Sequence, residues 1–343
     1  MSSRNYAREE LDAVLASMGI TDQTDVSRYG SGHINDTFRV ETARGTRFIL
    51  QRVNTDIFEP VVLKRNVVRV TEFLKSKGVK SLEVVGYENP WRVYSFLEGY
   101  TSRDVVSEPR QAYDVGRAFA KFQNDLADIP PPRLDDIIPK FHDTPDRPRQ
   151  LDEAAARDVK GRKAGVSAEF AFVDSWRGRA GRIVDLMAKG EIPERVTHND
   201  TKTNNVLVGA DGESVVIDLD TTMPGSALFD FGDMVRTSTA AAAEDEADLS
   251  KVFSKVEYFE ALARGYLEGA KFLNEAEREN LVFSGKLATF EVGIRFLADY
   301  LAGDTYFHTA YPEHNLVRAR NQFQMVRSLE EQTDEFEKIV RGR

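Results

Sequence analysis

The stretch His198-Asn199-Asp200-Thr201-Lys202-Thr203-Asn204-Asn205, with the hairpin pattern behind it, constrains this chain more than any other feature. Asp200 and Asn205 are spaced so that one tight loop can put a carboxylate and a neutral amide oxygen on the same side. Asn205–Val208 and Ser214–Asp218 read as two strands, and Gly209-Ala210-Asp211-Gly212 between them is a strong hairpin signal. The hairpin returns the chain to Ile217-Asp218 at a strand end. A fold carrying this stretch has to bring a loop carboxylate, an amide oxygen and a strand-end carboxylate to one place.

The segments before it are strand-rich. After a helix expected at 4–19, a glycine turn at Tyr29-Gly30-Ser31-Gly32 leads into alternating residues from His33 to Val40. Arg47–Val53 reads as the partner strand, a helix fits 60–77 up to Gly78, and two more strands fit 82–87 and 91–97. Beyond Glu98-Gly99 the periodicity is helical: 108–127, then 168–189, then nearly all of 229–343 apart from a loop near 303–315. The Arg-, Asp- and Pro-rich stretch 140–163 reads as an irregular insertion, and 238–248 as an exposed loop. The reading is α+β, with a small antiparallel-sheet lobe over 1–97 and a mostly helical lobe over 98–343.

Composition excludes several classes. The chain has 343 residues, 41% hydrophobic and 30% charged, which suits two packed lobes. Zero Cys removes disulfide frameworks and thiolate metal sites. A net charge of −10 argues against nucleic acid as a partner, though a local pocket with a metal can still take one nucleotide. No apolar run suggests a membrane span, and the N-terminal residues lack the apolar core of a signal peptide, so a cytoplasmic monomer is expected.

The Asp200–Asn205 spacing is that of the kinase catalytic loop, which needs a carboxylate to orient the attacking hydroxyl and an amide oxygen for Mg²⁺. Asp218 would be the charged Mg²⁺ ligand, Lys202 a point charge near the transferring phosphate, and His198 a pin for the loop. A literal Asp230-Phe231-Gly232 matches the kinase metal motif by letter but opens a helix, so Asp230 is expected to accept catalytic-loop N–H groups instead. Gly30-Ser31-Gly32 is a candidate phosphate-covering loop, with His33 and Asn35 polar enough to touch substrate. Tyr94-Ser95-Phe96-Leu97 is the candidate adenine-binding hinge. One position departs from the kinase pattern. Gln51 stands where a phosphate-contacting Lys belongs, and Asn66 near the place of its Glu partner; a neutral Gln–Asn arrangement, or Arg52, is expected to replace the pair.

These residues resemble the aminoglycoside phosphotransferase and choline kinase superfamily, whose members share the two-lobed protein-kinase-like fold. Gly-Ser-Gly-His33-Ile-Asn35, Phe-Ile-Leu-Gln51, Phe141-His142-Asp143-Thr144-Pro145, Ile-Asp218-Leu-Asp220-Thr221, Met-Pro-Gly-Ser226, Arg295-Phe-Leu-Ala-Asp299 and Tyr311-Pro-Glu-His314 are similar, within it, to the bacterial N-acetylhexosamine 1-kinases. That resemblance implies transfer of the γ-phosphoryl of Mg²⁺·ATP to the C1 hydroxyl of N-acetylglucosamine or N-acetylgalactosamine. It implies sugar contacts among His33, Asp200, Asp220, Thr221, Arg295, Asp299, Tyr306 and Tyr311. Arg295 and Asp299, at i and i+4, equally fit a plain surface ion pair. Another small-alcohol kinase (a choline-like or C6-hydroxyl acceptor) and a catalytically silent kinase-like binding protein are the alternatives the residues leave open.

Overall fold

The computed structural model describes residues 5–30 and 34–342, which form two compact units. The first comprises Met1–Ser102, Asp128–Pro139 and Leu207–Pro224; the second comprises Arg103–Ala127, Lys140–Val206 and Gly225–Arg343. The expected division at 97/98 falls inside the first of these stretches, and two later segments also join the first unit.

The first unit opens with α1 (Arg8–Ser17), shorter than the 4–19 expected, then β1 (Gln23–Arg28), β2 (Asp36–Thr42) and β3 (Arg47–Arg52). Helix α2 (Pro60–Ser76) follows, then β4 (Val84–Glu88), β5 (Trp91–Ser95) and the short β6 (Tyr100–Ser102). Five strands form one sheet in the order β1-β2-β3-β5-β4, each neighbouring pair antiparallel. Period-2 alternation sends Phe38 and Val40 of β2 inward, onto Leu50, Trp91, Val93 and the α1 residues Leu11 and Leu15. Helix α2 starts where it does because the Glu59 carboxylate accepts the N–H groups of Val61 and Val62 and Pro60 fits its first turn.

The second unit adds α3 (Pro109–Leu126), α4 (Arg147–Arg157), α5 (Ser167–Trp176), α6 (Arg182–Ala188) and the strand β7 (Arg195–Thr197). The hairpin β8 (Val206–Gly209) and β9 (Ser214–Val216) is there as expected, and β8 pairs with β6 in the first unit. The second unit then continues as α7 (Ala227–Ser238), α8 (Val256–Gly269), α9 (Glu275–Ala302), α10 (His314–Glu331) and α11 (Thr333–Val340). Helix α9 is fixed at both ends, by an Asn274–Glu277 capping box and by Gly303 at φ 97°. Its face meets α10 and α4 around Trp176, Phe290 and Phe323, and each buried Phe contributes roughly 1.5–3 kcal/mol.

Two expectations need correction. The stretch 140–163 is not wholly irregular: α4 lies inside it, with Leu151, Ala154 and Ala155 buried. Its apolar stripe is narrow and mostly alanine, so the charged solvent face hid the period. Helices over 168–189 are there as expected, as α5 and α6 separated by a 3₁₀ turn at Arg177–Arg179. The 238–248 segment is a loop but not simply an exposed one, since Thr239 is buried and Glu244 pairs with Arg236.

Helices α3 and α8 meet at glycine. A Cβ on Gly265 would lie 2.2 Å from the Tyr113 carbonyl oxygen, and one on Gly116 would lie 2.4 Å from that of Leu262. Gly265→Ala must therefore push the helices apart, an overpacking worth ~1–3 kcal/mol. Urea unfolding should show a lower midpoint with unchanged slope; an unmoved midpoint would mean that the close approach is not required.

Candidate active site

In the second unit, β7 delivers the chain into the 198–205 loop, and Asp230 in the first turn of α7 holds that loop. The Asp230 carboxylate accepts the backbone N–H of His198 at 2.9 Å, that of Asn199 at 2.7 Å and the Gln123 amide at 2.6 Å. The Thr201 hydroxyl donates to the Asp230 carbonyl at 2.7 Å. Asn199 is at φ 63°, a left-handed conformation that a non-glycine residue keeps only when its surroundings impose it. The His198 ring is fully buried, edge-on to Phe119 and Phe122, and its Nδ1 accepts the Asp200 N–H at 3.3 Å. The expected pin and the expected acceptor are both present. The letters Asp-Phe-Gly have separate explanations: Phe231 is core, and a Cβ on Gly232 would sit 2.4 Å from the Ser284 carbonyl of α9.

With its backbone held, the loop turns Asp200 toward Lys202 and Asn205. Lys202 Nζ lies 2.8 Å from Asp200 Oδ1, and Asn205 Nδ2 donates to the Asp200 carbonyl at 2.8 Å and to Oδ2 at 3.2 Å. Burial pushes the Asp200 carboxyl up, but the Lys202 ammonium, the hydrogen bond it donates and the charges of His198 and Arg236 outweigh that and hold it below the usual carboxylate value. Asp200 is thus an ionised, oriented acceptor, and the same contact raises Lys202 and keeps it cationic.

In the first unit, Asp218 follows β9 at φ 58° and caps a 3₁₀ turn, Leu219–Thr221. Asp220 in that turn is 3% exposed and lies against Arg92 of β5, at 2.8 Å (Oδ2 from Nη2) and 2.6 Å (Oδ1 from Nη1). Asn35 Nδ2 also donates to Asp220, at 2.6 Å. Gln51 does not pair with Asn66: its Oε1 accepts from Arg92 at 3.0 and 2.8 Å, and its Nε2 donates to Thr37. Asn66 instead donates to the Asp135 and Thr222 carbonyls, at 2.8 and 3.1 Å. The cation missing from β3 stands on its neighbour, because Gln51 and Arg92 face each other in register. The charge of Asp220 opposes burial at Arg92 and holds its pKa above the ordinary arginine value.

A second cluster in the second unit was not assigned from the sequence. His142 stacks on Phe229 at 4.5 Å and pairs through Nδ1 with Glu291 at 3.0 Å, and the Thr144 hydroxyl donates to the other Glu291 oxygen. Arg147 donates to the Phe141 carbonyl; its burial, opposed by Glu291 and reinforced by Arg295, lowers its pKa. Arg295 lies over Phe141, Tyr306 and Phe307 at 5.6–5.7 Å and has no hydrogen-bond partner among the described residues.

The other expected site residues are placed as follows. Asp299 forms no ion pair with Arg295: it is 6% exposed and accepts the N–H groups of Thr305, Tyr306 and Phe307 and the Asn315 amide. It orders the loop carrying Tyr306, which is itself 56% exposed, while Tyr311 stacks on His314. Thr221 ends the 3₁₀ turn after Asp218. Gly30 adopts φ 81°, whereas Ser31, Gly32 and His33 lie outside the described residues. In the hinge segment, Tyr94 is buried, and Ser95 and Phe96 donate their N–H groups to Glu83 and Arg47.

For a divalent metal, the donor chemistry fits. The Asn205 amide nitrogen is committed to Asp200, which leaves its oxygen as a hard donor in the second unit; in the first unit Asp218 carries a carboxylate. Among the described residues no group of three or more His, Cys, Asp or Glu could hold an ion alone. Hard oxygen donors of these two kinds, amide and carboxylate, are the kinds that bind Mg²⁺ when phosphate and water complete its shell.

Known proteins carry the same organisation. The choline kinase LicA from Streptococcus pneumoniae is 13% identical, with a TM-score of 0.59 over 94% of this chain and 98% of that one. A choline/ethanolamine kinase family protein from Mesorhizobium loti is 18% identical, with a TM-score of 0.59 over 98% and 99%. An aminoglycoside phosphotransferase from Alicyclobacillus acidocaldarius is 15% identical, with a TM-score of 0.58 over 97% and 98%. At such identities the likeness shows the fold, which is the kinase-like one. A family model described as the phosphotransferase enzyme family matches residues 25–276, from the first strand of the sheet, through the 198–205 loop, to the start of α9. The chain therefore belongs to the phosphotransferase enzyme family.

Proposed function

We propose that the chain transfers the γ-phosphoryl group of Mg²⁺·ATP to the anomeric C1 hydroxyl of an N-acetylhexosamine, releasing the sugar 1-phosphate and ADP. The carrying observation is Asp200, an oriented carboxylate held ionised between Lys202 and Asn205. A carboxylate with a depressed pKa is a weak base. It suits an anomeric hydroxyl, which is more acidic than an ordinary alcohol and needs mainly to be aimed, giving up its proton late. The bond between the γ-phosphorus and the bridging oxygen of ATP breaks, the C1 oxygen bonds to phosphorus, and the proton passes to Asp200. Lys202 would steady the charge on the transferring group, and Asn205 and Asp218 would be the residues to hold the metal, which would neutralise phosphate charge.

Gly30, with its neighbours Ser31 and Gly32, would cover the phosphates, and the Tyr94–Leu97 segment would meet adenine through its carbonyls. On the acceptor side, Arg295 brings uncommitted N–H donors among Phe141, Tyr306 and Phe307, with Arg147 beside it. Such a group suits the carbonyl and hydroxyl oxygens of an acetamido sugar; His33, Thr221 and Tyr311 are further candidates for sugar contact. Asp299 would act indirectly, through the Tyr306 loop. A choline-like or aminoglycoside acceptor, as the names of the structural neighbours suggest, would meet two guanidinium groups where a cation needs carboxylates or a purely aromatic cage.

ADP release measured with Mg²⁺·ATP over free sugars, N-acetylated sugars and amino alcohols should rank N-acetylhexosamines first, with the reducing end consumed. Preference for choline or for a C6 hydroxyl would overturn the reading. Asp200→Asn should lower kcat by about 10²- to 10⁴-fold, and Asp218→Asn should nearly abolish turnover. Arg295→Leu should raise the acceptor KM about tenfold, or ~1.4 kcal/mol, with the ATP KM unmoved.

A pH experiment addresses the His142–Glu291 pair. Burial pushes the Glu291 carboxyl up, yet His142, then Arg147 and Thr144, bring it down to about 2. A carboxyl depressed on folding stabilises fully above its unfolded value of 4.5, and that contribution is lost as pH falls toward 2. The stability lead of the wild type over Glu291→Gln, read from urea midpoints, should therefore shrink between about pH 7 and about pH 3. A constant lead would remove the ion pair from the account.

A further inference from the structure

In the first unit, the segment that carries Asp218 has to be held in an unfavourable shape. Asp218 is at φ 58°, and the next three residues form a single 3₁₀ turn. An isolated turn would relax, since a left-handed non-glycine residue persists only where its surroundings over-determine it. Two anchors hold this one. Asn66, 1% exposed on α2, donates to the Thr222 carbonyl on the far side of the turn. Arg92, 1% exposed on β5, donates to Asp220 Oδ2 through Nη2 and holds Nη1 2.6 Å from Oδ1 as an ion pair, and Asn35 adds a second donor to Oδ2. Arg92 is in turn fixed by Gln51, the residue opposite it on β3.

Gln51 and Asn66, which stand where a kinase has its phosphate-contacting ion pair, thus both serve the same turn, one through Arg92 and the other directly. A buried guanidinium tied to one carboxylate leaves little freedom for that carboxylate, because separating them would strand two charges in the interior. We propose that Arg92 is a positioning residue for the metal nucleotide: through Asp220 it fixes the turn that presents Asp218, without touching nucleotide or metal itself. This rests on the reading of Asp218 as a metal-holding residue. It also assigns Asp220 to the anchor, in place of sugar binding.

The test uses the full chain with Mn²⁺ and ADP, the dissociation constant of Mn²⁺ in the ternary complex being read by electron paramagnetic resonance, alongside thermal unfolding. Arg92→Met alone strands Asp220, so the main variant is Arg92→Met with Asp220→Met, which removes both charges. It should fold and bind an N-acetylhexosamine within about twofold of wild type, while the Mn²⁺ constant rises about tenfold or more. Arg92→Lys keeps the charge and loses the two-pronged grip; it should weaken Mn²⁺ binding by an intermediate factor, and it decides the matter should the double variant not fold. Wild-type Mn²⁺ binding in these variants, with Asp218→Asn weakening it strongly, would overturn the role of Arg92 and leave Asp218 in place. Unchanged binding in Asp218→Asn would overturn the reading of Asp218 and this inference together.

Discussion

The grip of Asp230 on the backbone of the 198–205 loop is the interaction on which the second unit's chemistry depends. A buried carboxylate is unfavourable unless donors surround it, and here two backbone N–H groups and the Gln123 amide converge on its two oxygens. Removing it would leave those N–H groups without partners inside the protein, each costing about 1–3 kcal/mol. Its place in the first turn of α7 adds the favourable end of the helix dipole. The effect on the loop is geometric. With His198 and Asn199 held by their N–H groups and Thr201 by its hydroxyl, the residue between them has its side chain directed away from the anchor, toward Lys202 and Asn205.

Two aspartates close together in one network are thereby set differently. At Asp230 burial dominates and raises the carboxyl, with the surrounding donors opposing it. At Asp200 the Lys202 charge overcomes burial and lowers it. The first is a structural acceptor of loop and side-chain N–H groups. The second stays ionised at neutral pH and is the one partly open to solvent. Environment, more than residue type, divides the roles.

Local features were legible in the sequence and long-range pairings were not. The Asp200–Asn205 spacing, the Gly209–Gly212 turn and the strand-to-helix change after Glu98 are all encoded within a few residues of one another, so spacing and turn chemistry were enough to read them. Asp230 could be separated from the metal role because its segment opens a helix. Arg92 could not be linked to Gln51 or to Asp220, since that link exists only once β3 and β5 are in register and the distant turn is packed beside them. The same holds for His142 and Glu291, which are 149 positions apart. Asp299 shows the opposite error: helical spacing suggested a partnership with Arg295, but the three N–H groups of the 305–307 loop are better donors to a buried carboxylate.

How the chain distributes its cationic groups follows from these placements. In many kinases a sheet lysine meets the nucleotide phosphates. Here the corresponding side chain is a neutral Gln51, and the nearby guanidinium of Arg92 is fully engaged with Asp220 inside its own unit. On the reading proposed above, that cation serves to hold the turn that carries Asp218. If the chain transfers a phosphoryl group as proposed, neutralising that group would rest on Lys202 and a divalent ion, in a chain whose net charge of −10 offers no general cationic surface to assist. On that proposal, a nucleotide should bind far less well without its divalent ion than it does where a lysine waits on the sheet, and the geometry of the Asp218 turn would set how firmly the metal nucleotide is held.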